Sequence, residues 1–156
     1  STCGVIPKIR QLAQEGMQFE LAVSLHGYDN DSRNLLMPVN RQYPFDQLMA
    51  ACREYSQSTK RQITFEYILI PGVTCVPAAA RALKKGFRGM ICKMNLIPYN
   101  PVADLDFQAP TRAEVASFQE GLEREGIYST VRRSRGRDIT AACGQLRRQD
   151  KKRDGR

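Results

Sequence analysis

Apolar positions along this chain switch repeatedly between the spacing of a helix and the spacing of a strand. Val5, Ile9, Leu12 and Ala13 recur three to four residues apart, which stacks them on one helical face, and Gly16 offers the stop. Phe19 to Leu25 follows as a short apolar strand. The next helix is expected to begin near Pro44, since proline suits a first turn, with Phe45, Leu48, Met49, Cys52 and Tyr55 on its inner face. That assigns Cys52 to the core. Ile63 to Ile70 is the clearest strand, β-branched and aromatic, closed by the turn pair Pro71-Gly72. Pro77 to Lys85 predicts a short helix. Ile91 to Tyr99 reads as another strand, stopped by the corner Pro98-Tyr99-Asn100-Pro101, and Val102 to Pro110 as a loop. Thr111-x-x-Glu114 is a capping box, in which hydroxyl and carboxylate each satisfy a free backbone N–H. The helix it opens carries Val115, Phe118 and Leu122 and ends at Gly126; Ile127 to Arg133 is the final strand.

Strands alternating with helices argue for successive βα units and a mainly parallel sheet. In such sheets ligands bind beyond the carboxyl ends of the strands. Four polar clusters fall at those ends: Ser1-Thr2-Cys3-Gly4, Ser24-Leu25-His26, Asn95 to Asn100, and Arg132 to Cys143. Singly each has a plain explanation: His26 as a hydrogen-bonded loop residue, Asn100 as a turn former, Ser24 as a local cap. Glu66 is the anomaly within a strand. A carboxylate among Phe65, Tyr67, Ile68 and Leu69 must face solvent, pair with a cation, or point into a polar interior.

Composition narrows the class. A chain of 156 residues, 42% hydrophobic and 26% charged, is an ordinary globular length and mixture. It has neither an apolar run long enough to span a bilayer nor a signal-peptide pattern at its start, so it reads as soluble and cytoplasmic with no membrane partner. Five cysteines without paired short spacing read as reduced thiols, and a single histidine argues against a clustered metal site. The first residue, Ser1, suggests a fragment of a longer protein, with Ser1 to Gly4 ending a strand that lies upstream.

The formal charge of +8 is uneven, with ten basic residues between Arg132 and Arg156. Clustered cations fit a polyanion, of which nucleic acid is the usual example. Residues 147–156 equally fit a solvated, disordered tail. Cys143 follows Arg132, Arg133, Arg135 and Arg137, whose field would favour the thiolate, the nucleophilic form. A buried, inert thiol in a small-residue turn is the alternative.

Taken together, certain segments resemble the radical S-adenosylmethionine (SAM) adenine methyltransferases of RNA, specifically the dual-specificity 23S rRNA and tRNA enzymes that methylate carbon 2. They are Ser1-Thr2-Cys3-Gly4, Ser24-Leu25-His26, Arg33 with Met37-Pro38-Val39-Asn40, Phe65-Glu66-Tyr67, Asn95 to Pro101, and Asp138 to Leu146. The resemblance implies an α/β fold: about half of an open radical-SAM barrel of the TIM type, with mainly parallel strands and flanking helices. Residues 1–146 would be the C-terminal part of the catalytic domain. Cys143 would be the methyl-carrying cysteine, and Ser1, Ser24, Leu25, His26 and Asn100 the SAM contacts. Arg132, Arg133, Arg135 and Arg137 would hold RNA phosphate. The longer protein would use SAM, a 4Fe-4S cluster and an electron donor, and would act on 23S rRNA and tRNA.

The departures limit that expectation. The cysteine loop that binds the cluster and the glycine-glutamate motif for SAM are absent, as is the second reactive cysteine, so the fragment alone is expected to be inactive and to hold no metal. Thr74-Cys75 stands where the family usually has Asn-Asp, and Thr140 where Asp is common. A carbon-8 methylating relative and a non-catalytic RNA-binding domain are the rival readings; Glu66 resembles the carbon-2 enzymes.

Overall fold

The computed structural model describes residues 1–16, 19–102 and 105–132. Its elements run α1 (Ile6–Gln14), β1 (Leu21–Ser24), α2 (Asn30–Leu36), a 3-10 turn (Pro38–Arg41), α3 (Phe45–Thr59), β2 (Ile63–Leu69), α4 (Pro77–Phe87), β3 (Cys92–Pro98), α5 (Arg112–Arg124) and β4 (Ser129–Val131). The four strands form one sheet in the order β1-β2-β3-β4, and every pair is parallel. Thr2 adds a bridge to Val23 on the outer side of β1, exchanging backbone hydrogen bonds with Ala22 and Ser24. That single bridge sets the Ser1–Gly4 segment alongside β1.

Sequential order has a geometric consequence. Parallel crossovers are right-handed, so crossovers that all step in one direction leave their helices on one face of the sheet. The core confirms it. Leu21, Val23, Ile63, Phe65, Tyr67, Leu69, Met94 and Leu96 are buried and alternate along their strands, so they share a face. Against it pack Ile6 and Ile9 of α1, Leu48, Cys52 and Tyr55 of α3, Leu83 and Phe87 of α4, and Phe118 and Leu122 of α5. Phe65 stacks on Phe87 with ring centroids 4.5 Å apart, and Tyr67 on Phe118 at 5.7 Å. A singly wound sheet with helices outside is the plan of a barrel wall, and the other face is left to line an interior.

Local sequence explains most boundaries. Pro77 occupies the first turn of α4, where its missing N–H costs nothing. The capping box of α5 forms as read, with Thr111 Oγ1 accepting from Glu114 N at 3.2 Å and Glu114 Oε2 accepting from Thr111 N at 2.7 Å. Three expectations are corrected. The first strand begins at Leu21, because Phe19 is 50% exposed and outside the sheet. Pro44 is the residue before α3 rather than inside its first turn. The last strand spans only Ser129–Val131, whereas Ile127 is core packing at the end of α5. The tail at 147–156 lies outside the described residues.

Candidate functional site

The register of the sheet assembles the site. Ser24 pairs with Glu66, Glu66 with Asn95, and Asn95 with Thr130, so four polar residues form one lateral row across the open face. Asn95 Nδ2 donates to both oxygens of the Glu66 carboxylate, at 3.1 and 2.9 Å. Glu66 thus faces the open side without an ion-pair partner among the described residues, half-buried and held by an amide. Ile68 and Ile97, the next open-face positions toward the carboxyl ends, give the row an apolar rim.

At the carboxyl end of β1 the chain turns sharply. Leu25 N and His26 N both donate to Glu66 O, and His26 adopts φ 50, an uncommon left-handed conformation for a non-glycine residue. Its Nδ1 accepts from Ile68 N at 3.2 Å. A ring nitrogen that accepts from a backbone amide carries no proton, so the neutral ring has its proton on Nε2. Burial, then the charge of Arg33, lowers the His26 pKa to about 4. The imidazole is therefore a fixed neutral donor at physiological pH.

Arg33 ties these pieces together from beneath. It is fully buried; its Nε donates to Leu25 O at 3.0 Å, Nη1 to Asn40 Oδ1 at 2.8 Å and Nη2 to Cys3 O at 2.7 Å. One guanidinium fork thus fixes the Ser1–Gly4 segment against the Ser24–His26 turn. The close approach demands glycines. A Cβ at Gly27 would lie 2.7 Å from Arg33 backbone atoms, and one at Gly4 2.9 Å from Arg33 Nη2. Asn40 is held in turn, its Nδ2 donating to Asn34 Oδ1 at 2.8 Å. Arg33 and Asn40 carried the family resemblance; their role as a buried clamp required coordinates.

The turn after β2 answers the substitution at Thr74. Its hydroxyl donates to Ile68 O at 2.6 Å and accepts from Ile70 N at 2.9 Å, while Tyr67 Oη donates to Thr74 O at 2.9 Å. Threonine therefore satisfies this turn by itself. Cys75 Sγ lies 3.8 Å from Glu114 O.

Of the residues assigned to SAM by resemblance, Ser1 is exposed beside β1, Ser24 is half-buried in the polar row, and Asn100 is exposed two residues past β3. His26 and Asn100 lie past the carboxyl ends of β1 and β3, whereas Ser24 is level with Glu66 at mid-strand and Ser1 precedes the bridge of Thr2 to Val23. Leu25 differs: its side chain is fully buried in the core, which leaves only its backbone to a ligand. Glu66, Asn95 and Thr130 were not among the assigned contacts. The alternation Glu66-Tyr67-Ile68 was the available signal for Glu66, but only register joins it to Thr130. Arg132 is exposed just beyond β4; Arg133, Arg135, Arg137 and Cys143 lie outside the described residues.

The described cysteines do not fit an iron-sulfur cluster. No group of three or more His, Cys, Asp or Glu residues could hold a metal among the described residues. Burial pushes the Cys52 thiol up to about 12 and those of Cys75 and Cys92 up to about 11, the opposite of what a thiolate ligand needs. The donor set of the open face fits a different ligand. Hydroxyls, an amide, a carboxylate and a neutral imidazole N–H match a molecule bearing hydroxyl, amino and carboxylate groups, such as SAM. No helix is long and apolar enough to cross a membrane among the described residues.

No protein-family profile matches the chain. Individual proteins do. It is 51% identical over 149 residues to a probable dual-specificity RNA methyltransferase RlmN of Pelotomaculum thermopropionicum, covering 95% of this chain and 40% of that protein. A protein of the same name from Caldanaerobacter subterraneus is 49% identical, with 95% and 43% covered. The chain thus spans about two-fifths of the length of these relatives. Among solved structures, a radical SAM methyltransferase from Sphaerobacter thermophilus superposes with a TM-score of 0.86 at 48% identity, over 92% of this chain and 42% of that one. A domain of pyruvate-formate lyase-activating enzyme from Bacteroides vulgatus shares the fold at a TM-score of 0.50 and 15% identity, over 83% of this chain and 89% of that one.

Proposed function

We infer, from a chain that belongs by sequence and fold to the RlmN dual-specificity RNA methyltransferases and spans one segment of them, that the longer protein methylates adenosine in RNA at carbon 2. The substrates in this reading are 23S rRNA and tRNA, and the enzyme works in the cytoplasm with a reductant for its cluster. The observation that carries it is the polar row: register sets Ser24, Glu66, Asn95 and Thr130, far apart in sequence, side by side on the open face, with His26 just beyond Ser24 toward the carboxyl edge of the parallel sheet. That edge is where parallel α/β sheets bind ligands.

The division of labour follows from the groups. Ser24 and Asn100 orient SAM through its polar substituents, and His26 donates from Nε2 without exchanging a proton. Carbon 2 of adenine is not nucleophilic, so direct displacement on SAM fails there. Cys143 solves this as a covalent carrier: its thiolate sulfur bonds to the methyl carbon while the sulfonium sulfur leaves with the bonding pair, giving S-methylcysteine and S-adenosylhomocysteine. The cluster, held outside the described residues, supplies the one-electron chemistry that activates that methyl group. Arg132, Arg133, Arg135 and Arg137 favour the thiolate and hold RNA phosphate.

Mass spectrometry of Cys143 peptides from the full-length protein tests the carrier role. A methyl adduct is expected, and Cys143→Ala should abolish RNA methylation; an unmodified thiol with methylation persisting in the variant would sink the reading. Nucleoside analysis of the product separates 2-methyladenosine from 8-methyladenosine. Ser24→Ala and Asn100→Ala are expected to weaken SAM binding about tenfold, the loss of one or two hydrogen bonds.

A further inference from the structure

A second charged surface lies at the other end of the sheet. Arg81, Lys84, Lys85 and Arg88 follow one another at helical spacing along and just beyond the C-terminal half of α4, all exposed on one stripe. They border a groove of about 730 Å³ whose far wall is the connection from α5 to β4. Phe87, Met90, Cys92 and Ile127 line it, and Tyr128 stands at its rim 66% exposed. Among the described residues Lys84 alone has an acidic partner there, Glu125 at 3.0 Å. None of the described ion pairs includes Arg81, Lys85 or Arg88.

A solvated helix face explains part of this. Cations in a last turn complement the helix dipole, which accounts for Lys84 and Lys85. It does not account for Arg81 one turn earlier, nor for a large aromatic ring left exposed on the same groove as guanidinium groups that join no ion pair among the described residues. Positive charge along a groove with an aromatic platform is the arrangement that holds a nucleic-acid strand: cations track the phosphates and a base stacks on the ring. An acidic protein surface would match the charge but not require the ring.

We propose that this groove is a second RNA contact, with phosphodiester backbone held by Arg81, Lys85 and Arg88 and a base stacked on Tyr128. It rests on the reading of the longer protein as an RNA methyltransferase. The groove meets the amino ends of β3 and β4, and the reaction site lies at their carboxyl ends. A seven-residue strand at about 3.3 Å per residue separates the two by roughly 20 Å. The groove therefore takes RNA outside the nucleotides that enter the reaction site, and it acts on affinity for a long RNA rather than on the chemistry.

The test is fluorescence anisotropy on full-length protein with a labelled tRNA transcript and with a trinucleotide centred on the target adenine, over a series of salt concentrations. The combined variant Arg81→Ala, Lys85→Ala, Arg88→Ala should bind the transcript at least tenfold more weakly and lower the slope of log affinity against log salt by about two to three. Trinucleotide and SAM binding should be unchanged, and circular dichroism should match the wild type. Tyr128→Ala should weaken transcript binding while leaving the salt slope intact. Unaltered transcript affinity and slope in the combined variant would overturn the proposal, including when that variant loses an acidic protein partner instead. Wild-type protein that binds no RNA would overturn the methyltransferase reading itself, a separable result.

Discussion

Arg33 and His26 show how much of the site rests on two buried side chains. A buried guanidinium that joins no ion pair among the described residues is costly unless its donors are used, and here they bind two backbone carbonyls and an amide oxygen. Burial, and then the same charge, keep His26 neutral. Because the folded His26 pKa is lowered to about 4 against an ordinary 6.5, the unfolded chain takes up the proton first as pH falls. Stability attached to the neutral ring is thus complete above about pH 6.5 and is lost between there and about pH 4. The shift corresponds to about 3 kcal/mol at most. Urea unfolding at pH 7 and pH 4.5 should show this loss in the wild type and a smaller one in His26→Gln; equal losses would remove His26 as the cause.

Among the elements, α2 does the most for its length to hold the candidate site together. It positions Arg33, yet no pattern in the chain announced it. Five of its seven residues are polar, Leu35 is 61% exposed, and the cap is Asp-x-x-Ser rather than a hydroxyl followed by a carboxylate. Asp29 Oδ1 accepts from Ser32 N at 2.8 Å, and Ser32 Oγ accepts from Asp29 N at 3.3 Å. Seven residues cannot sustain a helix without such support. Asp29→Ala should cost about 1 kcal/mol, measured by urea unfolding. By contrast α1, α3, α4 and α5 were legible, because each buries a periodic apolar face against the sheet.

At the scale of the molecule the two faces of the sheet have different work. Phe65 is fully buried under α4, and its neighbour Thr64 lies half-buried on the open side. Phe65→Ala should cost about 3 to 5 kcal/mol, whereas Thr64→Ala should stay within about 1, compared by denaturant midpoint at constant slope. Similar costs at both positions would mean that the open face is packed as a second core. The polar row at Ser24, Glu66, Asn95 and Thr130 agrees with an interior that receives a ligand. Parallel sheets covered by helices on both faces are apolar on both.

Period and punctuation in the chain were enough to determine the α/β class, four strands, the order of the large helices and the polar strand ends, since burial of apolar faces is a local pattern repeated in sequence. The motif from Asp138 to Leu146 pointed to Cys143 by resemblance alone. Tertiary structure decided what no local pattern contains. Parallel register across three strand pairs set Glu66 beside Ser24, Asn95 and Thr130. Backbone turns fixed the His26 tautomer, and a buried arginine joined Cys3 to Leu25 across the gap between two strand ends. Each of these depends on contacts between residues that are distant along the chain, and only the packed sheet brings them within hydrogen-bond reach.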